Sequence, residues 1–368
     1  MEKKIIRIVL TGGPAAGKTT LLSRIMKEFK QEDGWRVIPI PESATELIGG
    51  FGIKPFGNCL SMLAFQDFVI ADQLHKERLA LDTALRVPEE NVLVLYDRAL
   101  FDDKAYISDE EFAEIVKRLS GKTEEEVMKG YDAVIHLVTC AKGAEYAYNY
   151  GNAARYETIE EARRMDDRTL QCWSPHPNLR IIDNSVDFED KIDRAMREIY
   201  RFVGTPAPAP LKHKYLIEKP DMDAFTEKYA PAALDMMQTY LTMTMADTDR
   251  RIRQQKNGPD YLYFYTERQT MPDGSKLVTE KPISEKEYIR YLMEGDSALR
   301  PVRKTKFRFV YENRRFEMDI YPFSEDKAIL FCYTEDADPL LPPDIKILQD
   351  VTGDPAYKNK RLASVQML

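Results

Sequence analysis

Two rhythms of apolar and polar residues divide the chain. Up to about residue 203, short unbroken apolar runs alternate with longer stretches of helical spacing. The runs at Ile5–Leu10, Arg36–Ile40, Asn91–Arg98, Tyr131–Val138 and Arg180–Asn184 read as strands, mostly apolar along their length. Between them, Thr20–Phe29 carries Leu21, Leu22, Ile25, Met26 and Phe29 at helical spacing, and Met62–Leu85, Phe101–Ile107, Asp109–Leu119 and Phe188–Phe202 read as further helices. Strand–helix alternation predicts an α/β domain with a parallel sheet. Gly204-Thr205-Pro206-Ala207-Pro208-Ala209-Pro210 then reads as a linker, stiff because prolines alternate. Beyond it the period shortens to two. The expected organisation is therefore a domain over 1–203, a linker over 204–210 and a second domain over 211–368.

The turn after the first strand carries the clearest chemistry. Gly12-Gly13-Pro14-Ala15-Ala16-Gly17-Lys18-Thr19 has the G-x-x-x-x-G-K-[ST] spacing, with an apolar strand before it and a helix after it. Gly12 and Gly17 let the backbone curl so that N–H groups from Gly12 to Thr20 face phosphate oxygens, and the following helix adds its N-terminal partial charge. Lys18 is placed to reach the β- and γ-phosphates, and the Thr19 hydroxyl to ligate magnesium (Mg2+).

Other candidates fall where strands end, at the rim where open α/β sheets bind ligands. Glu42, just past the second strand, is expected either as a general base or magnesium-associated acid, or as a solvated acid near a helix start. Asp97 ends the third strand, the place of the metal-associated acid in phosphate-loop proteins, and Arg98 beside it suits transferred-phosphoryl charge. Gln66 and Gln73 read as acceptor contacts or helix surface. The polar stretch Asn149–Trp173 carries Arg155, Arg163, Arg164 and Arg168 and reads either as a mobile lid closing arginines over phosphates or as a solvated helix. Asn184 lies in the loop expected beside the nucleotide base. His176, set among prolines, reads as structural. The segment Thr139-Cys140-Ala141-Lys142-Gly143 lacks the Asn-Lys-x-Asp guanine signature, so ATP and GTP both stay open as the nucleotide.

In the second part, basic residues recur at alternate positions: Lys212 and Lys214, Arg251 and Arg253, then Lys304, Lys306 and Arg308, with Arg268 on the strand between. A strand has period two, so each set shares one face. Strand by strand this suits an outward solvated face; repeated on several strands it suits a groove for a polyanion.

Composition narrows the classes. A net charge of −8 argues against a general nucleic-acid binder. No apolar run approaches the ~20 residues of a membrane span, and the first residues lack a signal-peptide pattern. Cys59, Cys140, Cys172 and Cys332 are scattered, which suits reduced thiols and a cytoplasmic location.

The phosphate loop, Pro41-Glu42-Ser43-Ala44, Asp97-Arg98 and the run Trp173…His176-Pro177-Asn178 to Ile182-Asp183-Asn184 resemble an AAA-type, kinase-like domain related to nicotinamide riboside and deoxynucleoside kinases. In the second part, Gln238-x-Tyr240-Leu241, Arg251-Ile252-Arg253, Thr266-Glu267-Arg268, Lys304-x-Lys306 and Phe316-Glu317-Met318-Asp319 resemble the CYTH, or triphosphate tunnel, family. That resemblance implies an α+β antiparallel β-tunnel with a basic, triphosphate-holding lining and metal-holding acids. The family's opening Glu-x-Glu-x-Lys falls here on Pro210, Lys212 and Lys214, and its late Glu-x-Glu on Phe331 and Tyr333. Glu280, Glu317 and Asp319 remain. The resemblance so altered implies a polyanion tunnel without metal-dependent hydrolysis, because hard cations need oxygen ligands.

Both parts in this order resemble the TRP-channel translocation defect protein family. That implies an Mg2+-dependent nucleoside triphosphatase coupled to an anionic phosphate ligand or phosphoinositide headgroup, with peripheral membrane contact. The alternatives are a small-molecule or nucleoside kinase and a CYTH-type triphosphatase.

Overall fold

Parallel pairing organises the first unit, Met1–Met196. The computed structural model describes residues 3–30, 34–55, 57, 59–145, 158–205, 207–208, 212–243, 247–257, 260–272, 274–312, 314–334 and 338–368. In chain order the unit runs β1 (Lys4–Thr11), α1 (Lys18–Glu28), β2 (Trp35–Ile40), α2 (Ser43–Gly50), α3 (Met62–Arg86), β3 (Asn91–Asp97), α4 (Leu100–Asp103), α5 (Asp109–Ser120), α6 (Glu124–Met128), β4 (Ala133–Leu137), α7 (Ile159–Trp173), β5 (Leu179–Ile182) and α8 (Phe188–Val203).

The five strands lie in the order β2-β3-β1-β4-β5, all parallel. Helices cover such a sheet on both faces, so its middle strands must be apolar throughout. Accordingly Ile8, Val9, Leu10, Val92 to Leu95, and Val134, Ile135 and Leu137 have no exposed surface. The order places the ends of β1, β2 and β3 side by side, which gathers the phosphate loop, Glu42 and Asp97 at one rim.

The second unit spans Arg197–Leu368. The division falls inside α8, earlier than the expected boundary after residue 203. Its elements are β6 (Ala207–Pro208), β7 (His213–Glu218), α9 (Met222–Tyr229), β8 (Ala232–Tyr240), β9 (Thr248–Asn257), β10 (Asp260–Thr270), β11 (Lys276–Ile283), α10 (Glu285–Leu292), β12 (Val302–Tyr311), β13 (Arg314–Ile320), β14 (Lys327–Cys332), β15 (Ile347–Asp350) and α11 (Asn359–Val365). Within the stretch expected as a linker, Ala207 and Pro208 pair with Val278 and Leu277 and so form an edge strand, the place in a sheet that tolerates proline.

Among the described residues ten strands form one antiparallel sheet in the order β15-β7-β14-β13-β12-β8-β9-β10-β11-β6. One face packs an apolar core of Tyr215, Ile217, Phe309, Phe316, Met318 and Leu330 against Phe225 of α9. The other carries charge, yet Lys304, Lys306, Arg308, Glu317 and Asp319 on it are also buried. The sheet curls around this charged face. In a flat sheet the six strand steps from β7 to β10 would span roughly 29 Å, whereas Lys212 and Lys214 of the β7 end lie close enough to Arg268 of β10 to feel its charge.

Candidate functional site

The phosphate loop departs from ordinary backbone where its sequence predicts. Gly12 has φ 134° and Gly17 φ 101°, values that suit glycine. A Cβ on Gly12 would lie 2.0 Å from the Leu137 carbonyl oxygen, so the loop also passes too close to β4 for a side chain. Helix α1 starts at Lys18 with Gly17 as its cap. The Lys18 ammonium donates to the Gly12 and Gly13 carbonyls at 3.0 and 3.1 Å. Burial and the Arg98 cation lower its pKa to about 8, against the pull of Glu42, Asp97 and Asp102. Thr19 and Thr20 are exposed beside it.

Around Lys18 stands a knot of charge that the parallel sheet brings together. Arg98 follows β3 in the left-handed region, φ 66°, a costly conformation for arginine that its contacts hold in place. Its guanidinium donates to Glu42 at 2.7 Å and to Asp102 at 3.2 Å. Asp102, fully enclosed, also accepts from the Thr11 hydroxyl at 2.6 Å, the Ala99 N–H at 3.1 Å and the Trp173 indole at 3.0 Å. Burial alone would raise Glu42, but Arg98, Lys18 and the Thr45 hydroxyl outweigh it and hold its carboxyl below the usual range. An acid so paired is a weak base; it suits orienting an acceptor better than stripping its proton.

Asp97 differs. Burial and the neighbouring Glu42 push its carboxyl up, against Lys18 and Arg98, and its Oδ1 is enclosed without a hydrogen-bond partner. An enclosed, unsatisfied carboxylate oxygen at the rim, close enough to Lys18 to feel its charge, fits a hard cation that seeks oxygen ligands. Among the described residues no group of three or more His, Cys, Asp or Glu is arranged to hold a metal by protein ligands alone.

The arginine-rich stretch, 149–173, is described only from residue 158 onward. Its described part is helix α7, and Asp166 fastens that helix to the phosphate loop. The Asp166 carboxylate accepts from Gly13 N–H at 2.8 Å and Thr139 N–H at 3.2 Å, pairs with Lys142 at 3.0 Å, and lies 3.3 Å from His136. Both Asp166 and His136 are fully buried. Arg163 donates to the Ala141 carbonyl and to Glu145, while Arg164 and Arg168 are exposed. Arg155 lies outside the described residues. The Asn184 amide is committed to the protein: its Nδ2 donates to Thr139 and Lys142 carbonyls at 2.8 and 2.7 Å, and its Oδ1 accepts from Lys191 at 2.7 Å. It shapes the loop rather than presenting a free edge to a base. Gln73 is likewise occupied, with Ser43 and Glu77, whereas the buried Gln66 Oε1 has no partner. His176 is structural, bound to the Tyr131 carbonyl and the Asn178 N–H.

In the second unit, strand register settles which side chains share a face. Lys306 pairs with Asp319, Arg308 with Glu317, Glu317 with Phe331 and Phe331 with Lys214. Across the sheet, Gln238 pairs with Arg253 and Arg253 with Phe264. In-register partners point the same way, so Lys214, Arg251, Arg253, Arg268, Lys304, Lys306 and Arg308 all line the enclosed face, and Lys212 joins them through contact with Phe331 and Tyr333. Arg253 pairs with Glu280 at 3.5 Å and lies over Phe264. Burial lowers Arg268, helped by Arg251, and its enclosed Nε has no partner.

No helix of the described residues is long and apolar enough to cross a membrane. A comparison with curated proteins finds no match. Among solved structures the chain is similar to an inorganic triphosphatase, with 24% identity over 42% of this chain and 95% of that one and a TM-score of 0.31. It is similar also to a thymidylate kinase from Ehrlichia chaffeensis, with 15% identity over 53% of this chain and 97% of that one and a TM-score of 0.36. A protein from Pyrococcus horikoshii shares 15% identity over 35% of this chain and 81% of that one, at a TM-score of 0.27. The family model described as AAA domain matches residues 7–191, from the first strand through the phosphate loop to α8, and the chain belongs to that family.

Proposed function

We propose that the first unit binds ATP or GTP with Mg2+ and hydrolyses it slowly, and that its nucleotide state governs an anionic phosphate ligand held in the second unit. The observation that carries the first half is the meeting of the glycine-built loop, Lys18 and the unsatisfied Asp97 at one rim. Thr19 and Asp97 would hold the metal, which supplies positive charge against that developing on the phosphates. Lys18 leaves its two loop carbonyls for the phosphates, Arg98 stays clamped between Glu42 and Asp102, and Glu42 orients the attacking hydroxyl or water.

The second half rests on the enclosed face where cations outnumber carboxylates. Its ligand is a polyphosphate, a nucleotide tail or a phosphoinositide headgroup, the last implying peripheral contact with a membrane from the cytoplasm. This two-part reading agrees with the likeness to the TRP-channel translocation defect family. A kinase reading draws on the same rim, with a small molecule or nucleoside as acceptor.

Purified full-length protein should release diphosphate from ATP or GTP in Mg2+ faster than the Lys18→Ala variant. Equal rates would remove the hydrolytic reading. Phosphoryl transfer to an added hydroxyl compound, at the expense of hydrolysis, would favour the kinase.

A further inference from the structure

The charged face of the second unit contains two kinds of cation, distinguished by what holds them. The first kind is spent on carboxylates. Glu317 Oε1 meets Arg308 at 3.4 Å and also Arg315; its Oε2 meets Lys306 and the Tyr333 hydroxyl, the latter at 2.8 Å. Asp319 Oδ1 meets Lys306 at 3.1 Å; its Oδ2 meets Lys304 and the Tyr321 hydroxyl, the latter at 3.4 Å. Every oxygen of these two acids lies within ion-pair or hydrogen-bond distance of a protein cation or hydroxyl, although Asp319 Oδ1 has an ion-pair neighbour and no hydrogen-bond partner.

The second kind is held by an aromatic ring. Lys212 and Lys214 place their ammonium groups 4.8 and 5.3 Å from the centre of the buried Phe331 ring, which the carboxylate-paired Lys306 also approaches to 5.3 Å. Lys212 has no carboxylate at ion-pair distance among the described residues, and Lys214 donates to the Tyr357 carbonyl at 2.8 Å. Tyr333 extends the platform, 5.8 Å from Lys212 and 4.5 Å from Arg315. A ring attracts a cation through its quadrupole but carries no net charge. It therefore positions ammonium groups without cancelling them, as a carboxylate would. Gathering mutually repelling cations on one face is unfavourable unless an anion completes the set.

We propose that Phe331 is the floor of a metal-independent site for a chain of phosphates, bound directly by Lys212 and Lys214 with Arg268 opposite. This deepens the reading of the second unit as an anion-binding domain and rests on it. A divalent cation entering here would have to displace lysine or arginine from Glu317 or Asp319 and then sit among the lysines around Phe331. A phosphate chain stripped of metal meets the opposite field.

The test is calorimetric titration of the full-length Lys18→Ala protein, in which the phosphate loop is disabled, with inorganic tripolyphosphate. One series contains EDTA and the other excess Mg2+. The proposal expects binding in EDTA at least as tight as in Mg2+, and a loss of ~10-fold or more in EDTA on adding Lys212→Ala, the removal of one charge-assisted contact. Lys212 is exposed along much of its length, so that variant leaves the apolar core intact. Adding Phe331→Leu should weaken binding comparably. Binding that needs Mg2+, or that ignores Lys212→Ala, overturns the metal-independent floor while leaving an anion site elsewhere on the face. Absence of binding in both series overturns the anion-binding reading itself.

Discussion

Asp166 offers the sharpest test of how the nucleotide rim is built. Replacing it by alanine would leave the Gly13 and Thr139 N–H groups enclosed without their acceptor, and would strip Lys142 and His136 of their buried partner. An orphaned buried N–H costs ~1–3 kcal/mol, and breaking a buried pair by removing one member ~3–5 kcal/mol. These contributions overlap, and ~4 kcal/mol is a reasonable total. For a domain of this size each kcal/mol moves the midpoint by ~2–4 °C, so Asp166→Ala should lower the melting of the first unit by ~8–16 °C. The neighbouring Asp167 supplies the control. It also pairs with Lys142, at 2.6 Å, but its side chain is 68% exposed, so its alanine variant should cost less than ~1 kcal/mol.

The pH dependence adds a second reading. Burial alone would raise Asp166, but His136 and Lys142 outweigh it and hold the carboxyl well below the usual range. Its stabilisation is complete above the unfolded value of ~4 and fades as pH falls toward the depressed folded value. The gap between wild type and Asp166→Ala should therefore narrow only below pH ~4. Differential scanning calorimetry from pH 3 to 8 measures both effects. A midpoint shift no larger than that of Asp167→Ala would refute the fastening of α7 to the phosphate loop.

Gly12→Ala should abolish tight nucleotide binding, because the new methyl would meet the Leu137 oxygen at 2.0 Å, while Gly34→Ala, with φ 76° but open space, should cost only ~1–2 kcal/mol of stability; fluorescent-nucleotide titration and urea unfolding separate the two. Glu77 accepts from the Tyr131 hydroxyl at 2.8 Å and Gln73 Nε2 at 3.2 Å, and burial pushes its carboxyl up to about 7 against those bonds. Stability should consequently fall as pH rises from the unfolded value of ~4.3 to about 7. Glu77→Gln keeps an oxygen for both donors and should be more stable than wild type at pH 8 by up to ~3 kcal/mol, yet equal to it near pH 4; parallel urea curves at both pH values would count against this.

What the sequence disclosed follows a physical divide between backbone devices and side-chain partnerships. The phosphate loop was legible because its chemistry is local: Gly12 and Gly17 must be glycine for the turn, and Lys18 and Thr19 sit at fixed offsets from them. The strands were legible because burial on both faces demands unbroken apolar runs, as in Val92–Leu95. Asp102 and Asp166 were not legible. Each is one acid among many on a helix, and its partners lie far along the chain: Thr11 and Trp173 for the first, Gly13 and His136 for the second. Likewise, arginine content marks α7 as polar but says nothing of the face that Asp166 and Trp173 bury. Helix α10 escaped notice although its signal was present, Ser284 capping the Glu287 N–H while Glu287 reaches back to the Ser284 N–H and hydroxyl.

In the second unit, period two correctly placed the basic residues on one face, but it could not choose between solvent and an enclosed interior. That choice depends on the curl of the sheet, a property of all ten strands together. Once the sheet closes over its charged face, an aromatic residue there changes meaning. Phe331 in a strand is unremarkable as a core residue; Phe331 beneath Lys212 and Lys214 becomes a device for keeping charge uncancelled. Sequence alone places Phe331 on the face that carries the lysines, and the folded arrangement shows what it holds.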